Sequence, residues 1–465
     1  MIVEYRLVYS YDSYTPSIVS VTVENAAPTN FVCVFDKIMY DGMPSIDSLS
    51  IPGLTISNVS KTGDYEITIV TTTPALFATS YTLTYTKPSS ILLGHLESEY
   101  NYYVNSFSKI VVNYVTGVSN PSLVPPILIE NATPTKIKIP YDLALNETSI
   151  PAVGSYVLGS GRTVTLVEVS GLFVYLTASA RYYWGDTETV AYTKPGTDMI
   201  KSTTGGEADS FTAQTVTNNV ALDTYANALI NRMIAASETP TATHQYSINK
   251  CIVDLRTANL FETRFDGYVV TRGYGLVSTK INWISDLNNA TGVNTPTYAD
   301  NVGYSVRAGI AYLDTNFNPS TASKLTQNNA SFIFKVGGTR STANYYTGAY
   351  HATNGGIYMG AGATQDGACN GLSASYGLRW DIGYNAIVRD DATKVNFYVN
   401  TAQKEVANNS KAPINANLYM LRINFTSSYF FPDTAKLEFY GFGAHITQAE
   451  FNTIQTIMNT YFASL

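Results

Sequence analysis

Three short motifs recur in the same order at nearly one spacing, and this constrains the fold more than any other feature of the chain. Glu24-Asn25-Ala26-Ala27-Pro28-Thr29 returns as Glu130-Asn131-Ala132-Thr133-Pro134-Thr135. Tyr85-Thr86-Lys87-Pro88 returns as Tyr192-Thr193-Lys194-Pro195, and Ser106-Phe107 as Ser210-Phe211. The offsets are 106 (130−24), 107 (192−85) and 104 (210−106) residues. A repeated spacing of this length marks two tandem copies of one domain of about 100 residues. Each copy reads as β. Arg162–Val169 and Gly171–Thr177 are β-branched and aromatic runs bounded by Gly and Ser, and Thr187–Thr193 stops at a proline. Alternation puts Tyr81, Leu83 and Tyr85 on one strand face and Thr82, Thr84 and Thr86 on the other. Many short strands with regular turn signals indicate a sandwich.

The period then changes. Tyr225, Leu229 and Met233, with Ile230 and Ile234 beside them, give a helix opened by Asp223. A second short helix is predicted over Ser247–Ala258, separated from the first by Pro240 and the Thr-rich stretch 239–243. From about Phe261 to Phe442 the chain is β again. Predicted strands are Asp266–Val270, Ile310–Leu313, Ser331–Val336, Gly356–Met359, Lys394–Val399, Leu418–Phe425 and Lys436–Phe442. A final helix starts at a Thr447/Glu450 capping box and buries Phe451, Ile454, Met458 and Tyr461. The predicted fold is mostly β, in four segments. Residues 1–117 hold an N-terminal attachment arm (Met1–Ser13) and sandwich one, 118–220 sandwich two, 221–260 a helical lead-in, and 261–465 a β head with a C-terminal helix.

Two resemblances follow. The Pro-Thr start, the strand Val169-x-Gly171-x-x-Val174-x-Leu176, the Tyr-Thr-Lys-Pro motif and the ending Ser210-Phe211…Val216-Thr217-Asn218-Asn219-Val220 resemble the SwmB-type Ig-like repeat. Copy one is more divergent, with Ile110-Val111-Val112-Asn113 after Ser106-Phe107. The resemblance implies a spacer or stalk of a bacterial surface protein or phage fibre. Residues from about 220 to 465 resemble a concanavalin-like jelly-roll module of phage virion proteins. The carriers are the two-helix lead-in, Tyr312-Leu313-Asp314-Thr315-Asn316-Phe317-Asn318-Pro319-Ser320, the hairpin Asn396-Phe397-Tyr398-Val399-Asn400, and Phe439-Tyr440-Gly441-Phe442-Gly443 before the last helix. The glycine usual after the hairpin asparagine is Thr401 here.

Composition narrows the function. Only 14% of the 465 residues are charged, the net charge is −7, and 36 are tyrosine. That argues against disorder, a basic nucleic-acid surface and a coiled coil. No apolar run reaches the roughly 18–20 residues of a membrane span. Glu4 and Arg6 interrupt the N-terminal apolar stretch, so no signal peptide is read and assembly in the host cytoplasm is expected.

No catalytic, cofactor or metal set emerges. A retaining glycosidase needs two carboxylates about 5.5 Å apart, and the adjacent Asp390 and Asp391 fit a turn instead. Asp314-x-Asn316-x-Asn318 has alternating oxygen ligands, but Pro319 stands where a calcium loop needs glycine, so an Asx-turn is expected. His95, His244, His351 and His445, and Cys33, Cys251 and Cys369, show no ligand spacing, and the Gly-rich stretch Gly355–Gly362 is no phosphate loop. The aromatic cluster Tyr345, Tyr346, Tyr350, Tyr358, Trp380 and Tyr384 is the candidate contact surface, either for glycans or for packing against another subunit. The resulting expectation is a non-enzymatic structural protein on the surface of a tailed-phage virion. A head fibre is favoured, with a tail fibre, a bacterial adhesin or a glycan hydrolase as alternatives. Expected partners are itself, as a homotrimer, other capsid proteins through the N-terminal part, and bacterial or mucosal glycans.

Overall fold

The computed structural model describes residues 14–90, 94–306, 310–338, 345–361, 365–378, 382–425 and 435–465. The expected arm Met1–Ser13 lies outside these residues.

The sequence repeat is a repeat of hydrogen bonds. The hydroxyls of Tyr85 and Tyr192 accept from the backbone N–H of Leu96 (3.1 Å) and Ile200 (3.2 Å). Ser106 and Ser210 accept from Lys87 N–H and Lys194 N–H, both at 2.9 Å. Asn25 and Asn131 accept from Thr116 N–H and Ala221 N–H. Asn113 spans the carbonyls of Leu76 and Thr79, as Asn218 does those of Tyr183 and Asp186. Each of these bonds thus ties a loop backbone group to the sandwich, and only those to the Tyr85 and Tyr192 hydroxyls are buried.

The two copies share one strand order. In copy two a single sheet runs Tyr156–Leu158, Glu188–Tyr192, Phe211–Asn218, Ile127–Ile129, Lys136–Pro140, Phe173–Ala178, Val164–Ser170. Copy one follows the same order, but its last strand breaks at Val111 into Phe107–Ile110 and Val112–Asn113. The sheet divides there into three and five strands. In both copies the opening strand lies parallel to the closing one, Thr22 beside Val112 and Ile127 beside Val216. Tyr81, Leu83 and Tyr85 are buried, as alternation requires, and each copy has its own apolar core.

Glu188 is 3% exposed inside copy two. Desolvation alone would raise its pKa. Hydrogen bonds from the Ser160 hydroxyl and N–H, the Tyr182 hydroxyl (2.8 Å) and Thr189 N–H (2.9 Å) outweigh it, and the net shift is downward. A folded pKa below the unfolded value near 4.5 gives stability that is complete above 4.5 and lost as pH falls through the folded value. Glu188→Gln should therefore cost copy two about 1–3 kcal/mol at neutral pH. The deficit against wild type should shrink on acidification below 4.5 in thermal melts; a pH-independent deficit would contradict this account.

The head is a three-layer unit. Its eight-stranded sheet has Ala330–Gly338 at the centre, between Gly383–Arg389 and Ala435–Gly443. One face packs on a five-stranded sheet ordered Ala374–Ser375, Asp366–Gly371, Gly355–Ala361, Tyr345–His351, Ile423–Asn424. The opposite face is covered by three helices: α1 (Thr224–Ala235), α2 (Ala242–Thr257) and α3 (Gln448–Ala463). Neighbouring residues therefore serve different cores. Phe332 and Phe334 face the other sheet and Ile333 the helices. Double coverage makes these strands read as continuous apolar runs rather than alternating ones.

The expected β-sandwich head is present, with four differences from the sequence reading. Helix α2 begins at Ala242, not Ser247, because the Thr241 side chain caps His244 N–H and the Thr-rich stretch supplies the first turn. Residues 221–260 do not stand apart as a lead-in: α1 and α2 share one core with α3. The predicted strand Leu418–Phe425 is two, Tyr419–Met420 and Ile423–Asn424, split where Leu421 takes φ +68°. Ile310 precedes its strand, which runs Tyr312–Asp314. The Asn400 hairpin forms with Asn400 itself at φ +50°, so Thr401 need not supply the left-handed residue.

A polar clamp joins copy two to the head. Tyr183 donates to Asp254 (2.5 Å) and Tyr246 to Asp186 (2.7 Å), while Lys250 bonds both Asp254 and the Tyr183 hydroxyl. Copies one and two are connected through the linker, where Ser119 and Asn120 bond to Thr204, Ser202 and Glu207 of copy two.

Candidate functional site

The helices cover one side of the head, and the outer face of the five-stranded sheet carries a cleft of about 580 Å3. Strand Tyr345–His351 brings Tyr350 to it. Pairing of Gly348 with Ile423 and Ala349 with Asn424 places Phe425 alongside. The Tyr350 ring centroid is 5.6 Å from that of Phe425 and 4.8 Å from that of Tyr358. Tyr358 is 2% exposed and backs the floor. Its hydroxyl donates to Asp366 Oδ2 (2.7 Å), with Ser373 Oγ bridging the two at 2.6 and 3.0 Å. Burial pushes the Tyr358 pKa far up, so this hydroxyl stays a donor.

Loop 411–416 and the turn 351–354 wall the cleft with polar groups. His351 Nδ1 accepts from the N–H groups of Thr353 (3.3 Å) and Asn354 (3.4 Å), which puts the neutral ring's proton on Nε2. Asn415 Oδ1 accepts from Asn318 and Ser320, leaving its NH2 as a donor, while Asn424 spends its NH2 on the Asn417 carbonyl and leaves an acceptor. Among the described residues the Asn354 side-chain amide and the Lys411 ammonium have no hydrogen-bond or ion-pair partner. An aromatic floor flanked by donors and acceptors of both kinds suits a ring with one C–H face and an edge of hydroxyls.

The six residues of the aromatic cluster are not gathered into one surface. Tyr350 lines the cleft and Tyr358 supports it. Tyr384 faces the other way, 4% exposed in the layer under the helices, with its hydroxyl donating to Asn459 (2.7 Å). Trp380 and the side chains of Tyr345 and Tyr346 lie outside the described residues. The sequence reading missed Phe425, Asn354, Lys411, Asn415 and Asn424. Their signal is weak: Asn424 and Phe425 fell inside the predicted strand Leu418–Phe425, and only the long-range pairing of residues 348–349 with 423–424 brings them beside Tyr350.

The other candidates have structural partners. Asp314 Oδ1 accepts from Asn316 N–H (2.8 Å) in an Asx-turn and from Asn417, and Asn318 caps Ser320. Asp391 caps Thr393 in the turn before Lys394. His95 bonds the Pro88 carbonyl and His244 the Thr241 hydroxyl, while His445 lies 3.7 Å from Asp390. The three cysteines are buried and free, and burial pushes the Cys33 and Cys369 thiols up to about 12.

No protein-family model matches the chain, and no curated protein matches it. Among solved structures, the N-terminal part of the bacterial S-layer protein SbsC aligns at 13% identity over 43% of this chain and 44% of that one, with a TM-score of 0.19. The I9–I11 tandem from titin aligns at 12% identity over 45% and 66%, at 0.19. A Trypanosoma rangeli sialidase complex aligns at 8% identity over 96% and 84%, at 0.32. At such scores none of them bears on function.

Proposed function

We propose that this chain is a structural virion protein of a tailed phage, a head fibre whose head binds glycans. The observation that carries the binding half is the cleft built on Tyr350 and Phe425, with the side chains of Asn354 and Lys411 unpaired among the described residues. The virion half draws on the tandem sandwiches as spacers and on the resemblance of both module types to phage surface proteins. Several copies on one particle, as trimers, would turn weak single-site contacts into avid ones.

Two measurements test it. Mass spectrometry of purified particles should find the protein, and its absence would sink the virion assignment. A glycan array probed with the full chain should yield a binder whose affinity drops in Tyr350→Ala. Removing an aromatic anchor costs about 2 kcal/mol, or roughly 30-fold in Kd. An unchanged Kd would exclude this cleft.

A further inference from the structure

A second cleft in the head, of about 650 Å3, lies where the end of α1 meets the loops 276–281 and 286–296. Its chemistry differs from that of the Tyr350 cleft. Tyr304, paired with Tyr298 at 5.0 Å between ring centroids, lines it but is buried, and the two groups that give it a character are cations. Arg232 is half-buried, and its guanidinium donates to the backbone carbonyls of Asn282 (2.7 Å), Trp283 (3.3 Å) and Ser285. Neutral carbonyls hold it in place without cancelling its charge. Among the described residues Nε and one Nη2 hydrogen have no acceptor. Desolvation pulls its pKa down, and Asp286 is the one carboxylate that opposes this. Among the described residues the Lys280 ammonium has no hydrogen-bond or ion-pair partner. Asp286 also lines the cleft and accepts from Asn289.

The local sum is +1, from Arg232 and Lys280 against Asp286, in a chain whose net charge is −7. Beside the cations runs a short apolar wall of Ala236, Leu276, Val277 and Pro296, with Leu276 50% exposed. Asn289 and Thr291 supply side-chain polar groups on the rim. A held guanidinium and a free ammonium next to an apolar strip fit a carboxylate on a small ring that has one C–H face and hydroxyls on its edge. We propose that this cleft binds an acidic sugar, with Lys280 and Arg232 receiving the carboxylate and Leu276, Val277 and Pro296 covering the ring face. This site is separate from the Tyr350 cleft and does not depend on the function proposed for it.

The test uses methyl glucuronide and methyl glucoside, which differ only in carboxylate against hydroxymethyl, titrated into the full chain by calorimetry or ligand-observed NMR. The glucuronide should bind at least about tenfold more tightly, and its affinity should fall as salt rises. Lys280→Met keeps the stem and removes the charge, and should weaken glucuronide binding about tenfold, whereas Lys280→Arg should retain it. Tyr350→Ala should leave glucuronide binding unchanged, which separates this site from the other cleft. Equal affinity for the two glycosides would overturn the proposal. So would an inert Lys280→Met, or loss of binding in Tyr350→Ala. Hexanoate binding as tightly as the glucuronide would overturn the sugar assignment.

Discussion

Arg389→Met should cost the head about 4 kcal/mol, among the largest single losses expected in the molecule. Arg389 is wholly buried at the end of strand Gly383–Arg389. Its Nε donates to the Cys369 carbonyl across the sandwich (2.6 Å). Nη1 donates to the carbonyls of Asp391 (2.9 Å), Lys394 (3.0 Å) and Asn408 (2.9 Å), and Nη2 to the Asn408 side chain. One planar cation thus satisfies acceptors on both sheets and on the turn between Asp390 and Lys394. Methionine fills the space but strands these acceptors. Lysine has a single donor centre and cannot reach them together, so Arg389→Lys should be nearly as harmful. In calorimetry the head transition should fall by roughly 8–15 °C, while the two sandwiches, which have separate cores, should melt where they did. A shift of the head below about 1 kcal/mol would refute this role.

Phe442→Ala should cost about 3–5 kcal/mol. Its ring lies fully buried between the sheets, stacked on Phe317 with centroids 3.8 Å apart and planes 17° apart. The opposing Gly267 is part of the same device, since a Cβ there would come within 2.3 Å of the ring. The surrounding strands are fixed by their ladders and cannot close a cavity of this size. Gly267→Ala should therefore destabilise through overlap, and Phe442→Leu should cost less than Phe442→Ala. Urea unfolding of the head would show this ranking. A Phe442→Ala midpoint equal to wild type would mean that the core relaxes freely.

The two predictions use different kinds of sequence information. The Phe439–Gly443 motif was visible as a closing strand, and its glycines now have causes: a Cβ on Gly443 would meet the Arg264 carbonyl at 2.1 Å. The sandwich repeat was legible because its motif residues make local bonds that recur with the sequence. The head was less so. Its central strands are buried on both faces, so alternation could not tell Tyr358, under the cleft, from Tyr384, under the helices. Nothing in the sequence singles out Arg389, which stands beside Asp390 and Asp391. Only the meeting of residues 369, 394 and 408 makes it internal, and that meeting spans two sheets. The Tyr350 cleft was half seen for the same reason, since Tyr350 and Tyr358 were in the cluster while Phe425 and the 411–416 wall come from a distant part of the chain.

The parallel pairing of first and last strands in each sandwich has a mechanical consequence. Tension applied to the two ends of such a domain pulls its terminal strands past each other along their length. The bonds joining Ile127–Ile129 to Val216–Asn218, and Thr22–Val23 to Val112–Asn113, then lie across the line of force. They must shear together, whereas the bonds of a hairpin pulled open at its mouth unzip one at a time. The split closing strand leaves copy one with two paired positions and copy two with three. Under a steady pull, which loads every domain in the series equally, copy one should yield first, so the chain would lengthen at its N-terminal sandwich before copy two gives way.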